Sequence, residues 1–222
     1  TYKYEDFDKA GDTYTLKRNV PYFSSESNTQ PGMPKYADRN GDGIIDDNDR
    51  TMIGNGMPKH TGGFTNNFEY KGFDLSIFFQ WSYGNDVLNA NRLFFENSNK
   101  TRDLNQYASY ADRWTPENPE SNIPRATDSG SNKVFSTRII EDGSFLRLKT
   151  VSLGYTLPKQ LTKKWKIDNA RVFVAGQNLW TCTGYSGYDP EVSIREGALT
   201  PGLDFSAYPR AYSISFGINL GF

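Results

Sequence analysis

Strict two-residue alternation, carried over eleven positions at a time, sets the limits on the fold of this chain. In residues 73–83 the odd positions are Phe73, Leu75, Ile77, Phe79, Trp81 and Tyr83, against Asp74, Ser76, Phe78, Gln80 and Ser82. In residues 212–222 the even positions are Tyr212, Ile214, Phe216, Ile218, Leu220 and Phe222, against Ser213, Ser215, Gly217, Asn219 and Gly221. A strand puts every second side chain on one face, so both segments read as strands with one apolar and one polar face. Residues 61–70 repeat the pattern more weakly, with Phe64, Phe68 and Tyr70 on one parity and Thr65, Asn67 and Glu69 on the other, and Lys71 and Gly72 then turn tightly into the next strand. In residues 145–157 the phase changes: Leu146 and Leu148 are even, whereas Val151, Leu153, Tyr155 and Leu157 are odd. This predicts a β-bulge near Lys149 and Thr150. Residues 171–180 are strand-like in Val172, Phe173 and Val174, but apolar residues on both parities leave their outward face unassigned.

The connections between these five strands separate into two kinds. Lys71 and Gly72 form one, and residues 158–170 another of about a dozen; residues 84–144, 181–211 and the stretch leading to His60 are long and rich in Asn, Asp, Ser, Gly and Pro. Long loops at one end and short turns at the other match outer-membrane barrels, and strands of this length suit the roughly 9–11 residues that a tilted strand needs to cross the hydrocarbon. Alternation alone fits a water-soluble β-sandwich equally well. The barrel is favoured because the remaining residues supply no second sheet to cover the apolar faces.

Composition closes off other classes. Lys and Arg number 25 against 26 Asp and Glu, a net charge of −1, which offers nothing to track a phosphate backbone, so nucleic acid is excluded as a partner. No apolar run approaches the roughly 18 residues of a membrane-spanning helix, a limit that does not apply to strands. Cys182 is alone and cannot form an internal disulfide, and His60 is alone and cannot pair with another imidazole on zinc. The carboxylates Glu141 with Asp142, and Glu117 with Glu120, lie in polar loops, so no catalytic constellation is expected and the chain reads as no enzyme. It begins at Thr1 with neither an initiator methionine nor a signal peptide, as a piece of a longer protein would.

Three local patterns carry chemistry. Asp38, Asn40, Asp42, Asp46 and Asp49 fall at positions 1, 3, 5, 9 and 12 of a calcium-type loop (residues 38–49), with Gly43 at position 6 and the Ile44 carbonyl at position 7. Ca²⁺ takes six to eight oxygen ligands, which this spacing supplies, although Asp49 replaces the usual longer glutamate. The competing reading is an Asx-rich turn that satisfies its own amides. Tyr107, Tyr110, Trp114, Tyr185 and Tyr188 in the loops are candidates for stacking on a sugar ring or a peptide side chain, against the commoner role of packing the loops. The terminal run Ser215, Phe216, Gly217, Ile218, Asn219, Leu220, Gly221 and Phe222 has a polar-x-Gly-x-x-apolar-x-aromatic order that resembles the signal by which barrel-assembly machinery recognises its substrates, against the alternative that any alternating final strand can end in Phe.

Taken with Asn40 to Arg50, Gly54 to Pro58, Gly72 to Leu75, Phe145 to Lys149, Leu153 to Tyr155, Gly176 to Leu179, Tyr185 to Glu191, and Pro209 with Arg210, the chain resembles the SusC-like TonB-dependent transporters of the outer membrane. The resemblance runs from about residue 31 to 222. It implies an all-β fold: the C-terminal five to six antiparallel strands of a 22-stranded transmembrane barrel, with a sixth strand stub at Tyr2 to Tyr4. On this reading the five strands are 61–70, 73–83, 145–157, 171–180 and 212–222, and residues 1–60 are mainly extracellular loop. The plug and the TonB-contacting segment lie elsewhere in the longer protein. Implied partners are the rest of the barrel and its plug, TonB, outer-membrane lipid and a SusD-like surface lipoprotein. The implied cargo is a large nutrient, an oligosaccharide before a peptide. The alternative function is a secreted, calcium-stabilised, β-rich glycan-binding module.

Overall fold

The computed structural model describes residues 1–23, 25–97, 105–126, 134–191 and 201–222. The chain divides into two compact units, one of residues 55–87 with 141–222 and one of residues 1–54 with 88–140.

The first unit is built on five antiparallel strands: β1 (His60–Tyr70), β2 (Phe73–Tyr83), β3 (Phe145–Thr156), β4 (Asn169–Thr183) and β5 (Ser213–Gly221). Their order across the sheet, β5-β4-β3-β2-β1, is also their order along the chain, so they form a simple meander. Lys71 and Gly72 both have positive φ, 47° and 87°, as the two-residue hairpin between β1 and β2 requires. Other short strand pieces in this unit, such as Leu203–Asp204, are too brief to have carried an alternation signal.

Two bulges keep one face of the sheet apolar. Across β2 and β3 the register passes from Phe78↔Thr150 to Phe79↔Leu148, which leaves Lys149 as the extra residue predicted from the phase change. Leu146, Leu148, Val151, Leu153 and Tyr155 thereby share one side. Across β4 and β3 the register steps from Gln177↔Thr150 to Trp180↔Leu148, with Asn178 at φ 51°. The second bulge leaves the parity of β4 unchanged: Val172 and Val174 before it, and Trp180 and Cys182 after it, lie on the same side, while Phe173 lies on the other side over Gly217. It also lets pairing continue to Thr183, three residues past the expected end. At the other margin, β5 pairs with β4 from Ser213 to Gly221, so Tyr212 and Phe222, expected within the strand, lie just outside the ladder.

The apolar face is bare. Phe216 is 82% exposed, Ile218 68% and Phe68 56%, and Phe64, Phe73, Leu153, Val172 and Trp180 are also exposed. A water-soluble sandwich would bury this face under a second sheet. The described residues contain no helix long and apolar enough to cross a membrane, which says nothing about strands.

The second unit is loop-rich. A small core of Tyr2, Phe7, Leu16 and Met33, with Tyr14, Val20 and Tyr22 packed against it, holds the hairpin Phe7–Ala10 and Thr13–Leu16. The expected strand stub at Tyr2 to Tyr4 is not formed. Tyr4–Asp6 is a single 3₁₀ turn, and Tyr2 is buried with its hydroxyl donating to the Pro21 carbonyl at 2.6 Å. Burial of the Tyr2 ring in this core outweighs its strand propensity.

Candidate functional site

The polar face of the sheet carries the charges. Arg147, on β3 opposite Gln80, is 2% exposed and reaches Asp189 at 2.5 Å and Glu191 at 3.3 Å. Glu191 also accepts from Lys149 at 3.2 Å and from Arg210 Nε at 3.1 Å. Asp189 further accepts the amide hydrogens of Glu191 and Arg210, at 2.9 and 3.1 Å. Three cations and two carboxylates therefore pin both described flanks of the β4–β5 connection to the strand β3. Burial alone would raise the Asp189 carboxyl, but the Arg147 guanidinium and the two amides outweigh it and hold the group below the usual carboxylate range. This cluster was missed from the sequence, although Arg147 and Lys149 stand on the inward parity of an otherwise apolar strand and signal it.

A second clamp spans three strands at the turn end. Arg171 of β4 donates from Nε to Asp74 of β2 at 2.9 Å and from Nη2 to the other oxygen, crossing over Gly154 of β3. A Cβ at Gly154 would lie 2.3 Å from the guanidinium, so only glycine leaves room for the crossing.

The Asp-rich loop is folded on its own amides. Asp38 accepts from Gly41 at 2.6 Å and Gly43 at 2.9 Å, and Asp42 accepts from Ile44 at 2.8 Å. Asp46 accepts from Asn48 at 2.7 Å, and Asn40 Oδ1 from Asp42 at 3.0 Å. Asp49 accepts from Arg39 at 2.6 Å and Asp46 at 2.8 Å, and these amide bonds hold its carboxyl below the usual range. Among the described residues no three carboxylate, histidine or cysteine side chains are grouped as a metal cage. The arrangement fits the Asx-rich turn, and each amide bond occupies one lone pair of an oxygen that has two. On the Asx-turn reading, calcium at millimolar concentration leaves the melting temperature of the purified protein unchanged, whereas Asp38→Ala, which strips the Gly41 and Gly43 amides of their acceptor, lowers it. A calcium-dependent rise lost in Asp38→Ala would select the calcium cage.

Most of the loop aromatics serve packing. Trp114 is 5% exposed, tilted against Tyr4 with ring centroids 5.5 Å apart and covered by Arg125. Tyr110 is buried, and Tyr107 packs on Phe95 at 5.3 Å. Tyr185 is buried with its hydroxyl donating to Asp204 at 2.6 Å. Tyr110, Trp114 and Tyr185 therefore present no open face to a sugar, because closing these loops requires the apolar area of their rings. Tyr188 alone of the five is well exposed. The loop carboxylates are structural too: Glu141 accepts from the amide and hydroxyl of Ser186, and Glu120 pairs with Lys3.

No family model matches the chain. It is similar to the TonB-dependent receptor P3 of Formosa agariphila, at 36% identity over 201 residues, covering 87% of this chain and 19% of that protein. It is also similar to the TonB-dependent receptor SusC of Bacteroides thetaiotaomicron, at 28% identity over 198 residues, covering 89% of this chain and 18% of that one. Among solved structures, the RagAB peptide importer in its open-open state matches with a TM-score of 0.67 and 29% identity, over 98% of this chain and 21% of the matched chain. The chain thus spans about a fifth of the length of the curated relatives it matches. These relatives are receptors and transporters rather than enzymes.

Proposed function

Because this chain belongs with the SusC-like TonB-dependent receptors of the outer membrane, as a segment of their β-barrel, we propose that it supplies five neighbouring strands of a 22-stranded importer. The strands face lipid with their apolar side and the lumen with Arg147, Asp74 and Arg171. The turn at Lys71 and Gly72 and the connection after β3 lie in the periplasm, and the long loops lie outside. The observation that carries this reading is the bare apolar face, with Phe216 82% exposed on an edge strand whose outer backbone groups would be unpaired in lipid unless another strand joined them. On this reading β1 and β5 each pair with a further strand of the same barrel.

The cargo we infer is a large nutrient taken up with TonB-supplied energy and a SusD-like surface lipoprotein over the outer mouth. An oligosaccharide is the first choice, with Tyr188 as the loop aromatic free to stack on it. A peptide is the second, supported by the likeness to a peptide importer. Growth of a strain lacking the full-length protein tests both: loss of growth on oligosaccharide with growth on peptide retained is expected, and the reverse selects the second reading. Recovery of the purified protein as a folded monomer in detergent-free buffer would overturn the transporter altogether.

A further inference from the structure

The connection between β3 and β4 has a composition unlike the rest of the chain. Residues 157–168 hold four lysines, Lys159, Lys163, Lys164 and Lys166, against one acid, Asp168, a local charge of +3 in a chain of net −1. All four lysines are exposed, and none has an ion-pair partner among the described residues. Leu161 and Trp165, 51% and 67% exposed, stand among them. The turn exposes these two because it is folded around the residue between them. Thr162 is 1% exposed, its carbonyl accepts the Ile167 amide at 3.2 Å, and Lys166 takes a left-handed conformation that closes the loop.

Backbone hydrogen bonds place this turn on the sheet margin. Leu157 donates to Ala170 at 2.9 Å, Asp168 to Gly221 at 2.9 Å, and Thr156 to Gly72 of the neighbouring hairpin at 2.8 Å. The same margin carries exposed Tyr70, whose ring lies under Lys71 at 5.2 Å, Phe73 packed on Tyr155 at 4.5 Å, and Phe222. Lysines beside aromatic and leucyl side chains, at the edge of an apolar band, are what an interface of hydrocarbon and charged headgroups selects, since the stems and rings enter the apolar boundary while the ammonium groups stay wet.

We propose that the 157–168 turn, with Lys71, is a docking surface for anionic phospholipid headgroups at the periplasmic rim of the barrel. Leu161 and Trp165 insert at the acyl boundary, and the lysines contact the headgroup phosphates. The surface is continuous with the lipid-facing band, and its lysines make no ion pair among the described residues. This rests on the membrane-barrel reading above.

The test uses the full-length protein reconstituted into vesicles of phosphatidylcholine alone or of phosphatidylcholine with phosphatidylglycerol. The wild-type melting temperature should be higher with phosphatidylglycerol, and the difference should shrink in high salt, as exposed charges are screened. Replacing Lys159, Lys163, Lys164 and Lys166 together by glutamine should remove at least half of that difference while leaving the melting temperature in phosphatidylcholine unchanged. A wild-type protein that inserts in both vesicles with identical melting overturns the proposal and leaves the barrel reading standing, whereas failure to insert in either overturns the barrel reading and the proposal with it. If the variant does not fold, the wild-type lipid and salt dependence alone decides. Retention of the full difference by a folded variant would show that the lysines face another partner, such as an acidic periplasmic protein.

Discussion

Arginine in place of Phe216 should destabilise the assembled barrel by about 2–4 kcal/mol, the cost of a cation near the middle of a lipid-facing strand. Phe216 lies near the centre of β5, opposite Val174, and no described residue covers it. Its neighbour Ser215 points to the other face, opposite Ala175, so Ser215→Arg should change stability by less than about 0.5 kcal/mol. Denaturant unfolding from vesicles measures both, and the contrast between adjacent residues isolates the face from the strand. At the margin, Phe222→Asp should lower the amount of assembled protein more than Asn219→Asp, because Asn219 faces inward opposite Arg171. Equal losses at Phe216 and Ser215 would mean that neither face meets lipid.

Arg147→Met should cost about 3–5 kcal/mol, the usual consequence of leaving a buried carboxylate without its partner. The double variant Arg147→Met with Asp189→Leu should recover most of this, since it removes the stranded charge as well. Limited proteolysis in the 184–191 segment provides a second readout, because Arg147 together with Lys149 ties that segment to β3. The pH dependence has a definite sign. Asp189 has a folded value below its unfolded one, so the pair contributes fully above the unfolded carboxylate value of about 3.9, and the contribution is lost as pH falls through the lower folded value. Single and double variants that melt alike would show the network to be dispensable.

The strands were legible because alternation is a local property. The segment 73–83 coincides with β2, and the phase slip in 145–157 located the extra residue at Lys149. The 3₁₀ turn at Tyr4–Asp6 was not legible, since the strand expected beside it came from likeness to a family and the burial of Tyr2 depends on Met33 and Leu16, distant in sequence. The loop of residues 38–49 shows a different limit. Its spacing of oxygens suits a cation and an Asx turn equally, and only the positions of the amides at Arg39, Gly41, Gly43 and Ile44 show which groups the carboxylates meet in this fold.

By itself the sequence determined which five segments are strands, which face of four of them is apolar, and that lone Cys182 and His60 make no disulfide or histidine pair within these residues, because each follows from residue order or count. Tertiary structure alone decided that Arg147 meets Asp189 and Glu191, that Arg171 crosses Gly154 to reach Asp74, and that β4 bulges at Asn178 and pairs on to Thr183. These depend on the register between strands, which backbone hydrogen bonding sets jointly across the sheet. A shift of one residue in any strand reverses all its faces, so no single segment contains that information.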